Sequence, residues 1–373
     1  EKCPRVLTQG AIMALACQPL LLVIAWGMGG LFSTMGHPPE QVVLERQYYF
    51  VMMSGAFFAL LKACVAGYFC GIGKTRVVMI TDVLGVLINI PLTWALIFGK
   101  LGFPELGIRG AALATVIATA CSLLIYAAFY FNRIHRERFH VADSFRFDPG
   151  ILRRYVRLGL PSGFETFVGA ATFNFFLLLF QSYGIAEGAA MAIVFNWDML
   201  NYVPLIGLNI AITSMIGRYV GARDMTRAGQ LIAAGFTIAL GFSVVLALFF
   251  VLFRYELMMV FATPGEDFSE IASLGASMML GMATYVVADA VILVCSGVLR
   301  GAGDTRWLMN TSMSLHVLML VAQYVMIKHL EVGPLVSWWG FVAMLLALAV
   351  VYLLRLRGST WRKPSRLARV MAD

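Results

Sequence analysis

The chain has 373 residues, of which 60% are hydrophobic and 13% charged, with a mean hydropathy of +0.83. A soluble globular surface does not carry that composition, so a polytopic membrane protein is expected. The net charge of +8 does not point to nucleic acid, because the basic residues fall in short loops between apolar runs, the pattern that sets membrane orientation.

Ten apolar runs are long enough to cross a bilayer, at about 20 residues each. They are Ala11 to Phe32, Tyr48 to Cys70, Val77 to Phe98, Gly110 to Phe131, Leu158 to Phe180, Ala190 to Ile216, Leu231 to Phe253, Ile271 to Leu299, Trp307 to Ile327 and Val336 to Leu354. The loops on one side hold 22 of the Lys and Arg residues and the other side 5, which places both ends of the chain in the cytoplasm. Six cysteines, Cys3, Cys17, Cys64, Cys70, Cys121 and Cys295, have no metal-ligand or CxxC spacing and are read as packing residues.

Residues 132–150 form the one long polar break before the tail, and read as a cytoplasmic linker between a first bundle (1–131) and a second (151–355), with a basic cytoplasmic tail at 356–373. At an offset of 230 residues, Gly67, Gly71, Gly73, Thr75, Arg76, Met79, Ile97, Pro104 and Gly110 recur as Gly297, Gly301, Gly303, Thr305, Arg306, Met309, Ile327, Pro334 and Gly340. Chance apolar similarity would not align Gly, Pro, Thr and Arg at turns. The halves are therefore expected to be two pseudo-symmetric helical bundles in a parallel repeat. Four runs in one half against six in the other imply an N-terminally truncated chain, ten of twelve helices, which is not expected to transport by itself.

The helix ending in GVLRGAGDTR carries one carboxylate, Asp289, 11 residues before Arg300 and so roughly 16 Å from the charged end. A carboxylate near mid-bilayer is costly unless it faces a wet cavity or a partner, which reads as a cation or proton site; a hydrogen-bonded helix contact is the plain alternative. Tyr285 lies one turn earlier on the same face. Glu165 lies seven residues after Leu158, where Pro161 and Gly163 are expected to make the start of the span irregular, although an acid near the interface can also snorkel. Lys62 and Asp82 are placed to form an ion pair that lowers the cost of both charges. Asp198, 20 residues before Arg218, is read as lying near the outer surface, where Asn196 and Asn201 suggest a wet vestibule rather than an ion site. Several Phe residues and Met278, Met279 and Met282 are core or lipid contacts, a few of which could line a tolerant pocket.

Gly71 to Thr75, GIGKT, lacks the first glycine of a phosphate loop, so nucleotide binding is rejected. Asn310-Thr-Ser would sit at a cytoplasmic helix start and is not a glycosylation site. The scattered histidines, of which only His316 is expected within the membrane, make no metal or hydrolase constellation, and no catalytic residue is assigned.

GIGKTR at 71–76 with INIPL at 88–92, ELGIRGAALAT at 105–115, GLPSGFE at 159–165, VGARD at 220–224 and GVLRGAGDTR at 297–306 together resemble the multidrug and toxic compound extrusion (MATE) family. The resemblance covers essentially the whole chain, and is to the NorM-like, sodium-coupled branch. It implies an antiporter of the bacterial inner membrane that exports small cationic amphiphiles by alternating access in exchange for Na⁺ or H⁺. No other cofactor, no nucleic acid and no obligate protein partner are implied, only the substrate and membrane lipid. The coupling residues carried over are Glu165, Tyr285 and Asp289; Asp82 and Lys62, read from the sequence as either a structural pair or part of the coupling, and Asn89 are the accessory candidates. The family's first-bundle site departs here, since Asn89 and Thr93 stand where an Asn and an Asp are expected. The alternative reading is a flippase for a lipid-linked precursor within the same superfamily.

Overall fold

A computed structural model describes residues 3–30, 32, 39–139, 141–262, 268–358 and 360–362. Among them the regular structure is entirely helical. The first compact unit spans residues 1–155 and holds α1 (Cys3–Met28), α2 (Pro39–Ser54), α3 (Ala56–Gly71), α4 (Thr75–Phe98), α5 (Gly107–Tyr130) and α6 (Arg133–Phe139). The second, 156–373, holds most of α7 (Pro149–Gln181), then α8 (Ile185–Gly221), α9 (Met225–Leu252), α10 (Arg254–Met259), α11 (Ser269–Gly301), α12 (Thr305–Lys328) and α13 (Pro334–Arg357). The residues of the basic tail beyond 362, and Lys2, lie outside the described residues.

Nine of the described helices are long and apolar enough to cross a membrane, and a tenth span results if α2 and α3 are joined. The second apolar run is not one straight helix. It begins earlier, at Pro39, and bends by 45° between α2 and α3, where Phe58 N–H donates to the Gly55 carbonyl at 3.0 Å and tightens the chain into a three-residue turn. Conversely, α7 runs unbroken through Pro161, so the irregular start expected at Glu165 is absent. Pro161 is buried, and a membrane helix tolerates one proline when the surrounding helices hold it in place. The polar linker contains regular structure, α6 and a 3-10 turn at Val141–Ser144.

The internal repeat is visible bond by bond. Lys74 N–H donates to the Phe69 carbonyl at 2.8 Å, and 230 residues later Asp304 N–H donates to the Leu299 carbonyl at the same distance. Gly73 and Gly303 both take the left-handed conformation, at φ +77° and +79°, and the 24-residue helices α4 and α12 follow. The geometry occurs a third time between α8 and α9, where Asp224 N–H donates to the Tyr219 carbonyl at 2.9 Å, but the left-handed position is Arg223, at φ +58°. A side chain there clashes with its own backbone. Arg223→Gly is accordingly expected to stabilise the protein by up to about 1 kcal/mol, read as a higher midpoint in a detergent thermal melt.

In the first unit α4 packs along α5, and α1 along α3. An aromatic cluster of Tyr68, Phe69, Tyr126 and Tyr130 closes around His135, whose Nε2 lies 3.0 Å from the Tyr68 hydroxyl. In the second unit α11 is the axis: 61% of its most apolar stretch is buried, against 33% or less for every other span, and it packs on α8, α9 and α13. Elsewhere the spans present open apolar side chains such as Leu124, Leu178, Val245, Leu318 and Val350, the surface a lipid environment requires.

Candidate functional site

The seam between α8 and α11 is built on small residues and side-chain amides. A Cβ on Gly301 would lie 2.6 Å from the Thr213 carbonyl oxygen, so only glycine lets the two backbones come this close. Asn201 donates to the Val286 carbonyl at 3.5 Å, Asn209 to the Leu293 carbonyl at 2.6 Å and to Ser296 Oγ at 3.0 Å, and Thr213 to the Gly297 carbonyl at 3.2 Å. Ser243 of α9 donates to Asn201 Oδ1 at 2.8 Å. A polar ladder inside an apolar bundle fixes one register, because every alternative leaves a buried amide unpaired.

Tyr285 and Asp289 lie on this seam, 1% and 9% exposed. The Tyr285 ring is held between Trp338 and Phe341, with ring centres 6.1 and 5.9 Å away, and Trp338 is itself anchored by its Nε1, which donates to the Met278 carbonyl at 2.9 Å. Among the described residues no ion pair includes Asp289; its electrostatic neighbour is Asp198 of α8, which also faces Tyr285. The vestibule expected at Asp198 is not what the structure shows, since this residue is only 7% exposed. Depth read along α8 from Arg218 misled, because α8 overshoots the end of α11 and the ladder brings Asp198 level with the turn that carries Tyr285. Asp198 is the buried acid of this seam that sequence reasoning set aside. The signal available was an acid more than two turns inside an apolar 37-residue helix whose other acid, Glu187, lies in the first turn, much the signal that singled out Asp289.

Glu165 is brought elsewhere. It is buried on α7, and its Oε2 lies 3.1 Å from Arg300 Nη2, while Arg300 Nη1 lies 3.4 Å from Asn209 Oδ1. Arg300 therefore ties α7, α8 and α11 together roughly 16 Å along α11 from Asp289. In the first unit Lys62 and Asp82 form the expected ion pair at 2.9 Å, both side chains partly exposed, and Asn89 is half-buried on α4. Met278, Met279 and Met282 are fully buried in the packed core rather than lining open space, and Phe164, Phe167 and Phe175 point outward. Among the described residues no group of three or more metal-ligating side chains is found.

A family model described as MatE matches residues 1–95 and 161–325. The chain is 29% identical, over 327 residues, to a protein of Thermotoga maritima described as a probable multidrug resistance protein NorM, covering 87% of this chain and 69% of that one. Two solved structures share the fold. One, a transporter of the MOP superfamily from Pyrococcus furiosus described as having a binding pocket of reverse polarity that suggests a different function, superposes with a TM-score of 0.85 at 23% identity, over 99% of this chain and 79% of that one. The other, an outward-facing multidrug resistance MATE family transporter of the same superfamily, gives a TM-score of 0.83 at 23% identity, over 99% and 80%. Nine or ten candidate spans among the described residues, with a polar seam inside one unit and matched in this way, define a multi-pass membrane transporter rather than an enzyme. The chain belongs to the MatE family.

Proposed function

We propose that the protein is a secondary antiporter that exports cationic amphiphilic drugs or toxins from a bacterial cell across the inner membrane, coupled to Na⁺ or H⁺ through Asp289, Tyr285 and Glu165. One observation carries the reading: Asp289 is buried midway along the most buried helix, beside a second acid and without a cationic partner among the described residues. A bundle stable for its own sake would pair or remove such a group. A cation supplies the missing charge. The ion neutralises the carboxylate as it binds and so weakens the hold on a cationic substrate; when the ion leaves, the bared carboxylate attracts the next substrate molecule. The exchange follows from competition for one charge, which gives each ligand the differential affinity it needs to shift the transporter between its states.

Glu165 enters this cycle differently from Asp289. Its carboxylate is already balanced by Arg300, so it becomes available to a cation when that pair opens, and Arg300 then needs another acceptor. The name of the Thermotoga relative supports multidrug export, while the Pyrococcus description shows that this fold also accommodates a pocket of other polarity. The acidic seam favours a cationic cargo over the pyrophosphate of a lipid-linked precursor.

The test is ethidium efflux from vesicles carrying the complete natural polypeptide, driven separately by a sodium gradient and by a pH gradient. One of the two gradients is expected to accelerate efflux, and it names the ion. Efflux indifferent to both would overturn the reading.

A further inference from the structure

We infer that Asp198 is a cation-binding residue in its own right: with Asp289 and the phenols of Tyr202 and Tyr285, it forms a four-residue oxygen site for one monovalent cation on the α8–α11 seam. The inference rests on the antiport reading for its place in transport, but not for its geometry.

Along the seam the two helices run parallel, and residues of α8 meet residues of α11 that lie 84 to 87 positions further on. That register brings Asp198 to the turn ending at Tyr285, and Tyr202 to the turn ending at Asp289. Asp198 and Tyr202 are one helical turn apart, as are Tyr285 and Asp289. Each helix thus contributes one acid and one phenol in opposite order, so that acid faces phenol on both rungs. The electrostatic contacts agree, linking Asp198 with Tyr285, Tyr202 with Asp289, and the two acids with each other.

Two buried polar atoms within this cluster, the Tyr285 hydroxyl oxygen and Asp198 Oδ1, on residues 1% and 7% exposed, face each other without a well-formed hydrogen bond. An unmade hydrogen bond in an apolar interior is costly, and a carboxylate and a phenol that face each other without closing one, beside a second buried acid, mark a place for a ligand. Among the described residues the surrounding helices supply no protein cation to fill it. From α9 comes Ser243, already bonded to Asn201; from α13 comes Trp338, which is neutral; Arg300 of α11 reaches Tyr202 electrostatically but pairs with Glu165 of α7. Two carboxylates and two phenols are hard oxygen donors, suited to a small monovalent ion such as Na⁺ or to a proton shared between the acids.

The experiment uses the complete natural polypeptide in detergent, as wild type and as Asp198→Asn and Asp289→Asn, with folding checked by thermal melts. Binding is read by equilibrium uptake of radioactive sodium in choline buffer at about pH 8. It is also read by tryptophan emission during a sodium-free pH titration, since Trp197 adjoins Asp198 and Trp338 holds Tyr285. Wild type is expected to take up one sodium ion or to show one protonation step, and Asp198→Asn to weaken that sodium affinity or displace that step by about tenfold or more, as Asp289→Asn does. A wild-type-like Asp198→Asn beside an impaired Asp289→Asn overturns the inference and leaves the antiport reading standing. Wild-type behaviour of both variants, or no response of the wild type to either ion, overturns both. If Asp198→Asn fails to fold, Asp198→Ser is read in its place by the same criteria.

Discussion

Asp289→Asn is expected to abolish gradient-driven ethidium efflux while leaving the protein folded. The amide preserves the shape of the carboxyl group and removes only its charge. A carboxylate and a monovalent cation about 4 Å apart, in surroundings with an effective dielectric constant of about 20, attract by about 4 kcal/mol, so ion affinity should fall by roughly a thousandfold. The sign of the stability change is the sharper diagnostic. Without sodium and at a pH that ionises both acids, wild type buries two like charges side by side with no cation among the described residues to balance them, and the variant should melt no lower than wild type. With saturating ion only wild type gains stability, at about 2.7 kcal/mol when the ion is present at a hundred times its dissociation constant, and the order of the two melts should reverse. Thermal melts across an ion titration check this; two parallel curves would show that Asp289 is a structural acid.

The other large effect is expected where no transport chemistry is invoked. Asp304 is fully buried where the α11–α12 turn ends, and its Oδ2 lies 2.8 Å from Arg355 Nη2 at the end of α13; the same guanidinium lies 4.9 Å from the centre of the Trp307 ring. Arg355→Met takes the guanidinium away from the buried Asp304 carboxylate, a loss of about 3–5 kcal/mol, with about 1 kcal/mol more from the ring contact. Most of that loss comes from the stranded charge rather than from the missing bond. The double variant Asp304→Asn with Arg355→Met is therefore expected to recover more than half of it. Melting midpoints of the wild type, both single variants and the double variant close the cycle, and additive losses would refute the assignment.

Why some of this was legible in the sequence, and some not, follows from which interactions are local. The spans, the repeated turns and the Lys62–Asp82 pair depend on contacts within a helix or across a short loop, where spacing in sequence is spacing in space. The repeat was readable because Gly73 and Gly303 must take a conformation that other residues resist. The bend between α2 and α3 left no proline to announce it. Arg300 counted only as an orientation charge, and nothing in its own stretch reveals that it reaches Glu165, 135 residues away. Asp198 failed for a related reason: its depth was measured against its own helix, whereas its partners are set by a ladder of amides whose register is a property of two helices at once.

The three recurring turns have a consequence for how the chain is made. Each reversal is closed by backbone bonds spanning only a few residues, from Phe69 to Lys74, from Tyr219 to Asp224 and from Leu299 to Asp304, and the side chains of Lys74 and Asp304 add contacts to His135 and Arg355 from elsewhere in the chain. A helical hairpin of this kind can set as soon as its second arm leaves the ribosome, satisfying its own backbone while the rest of the protein does not yet exist. Biogenesis then proceeds by the arrival of ready-made hairpins, and the later event is their sliding into the register that the amides of α8 lock against α11.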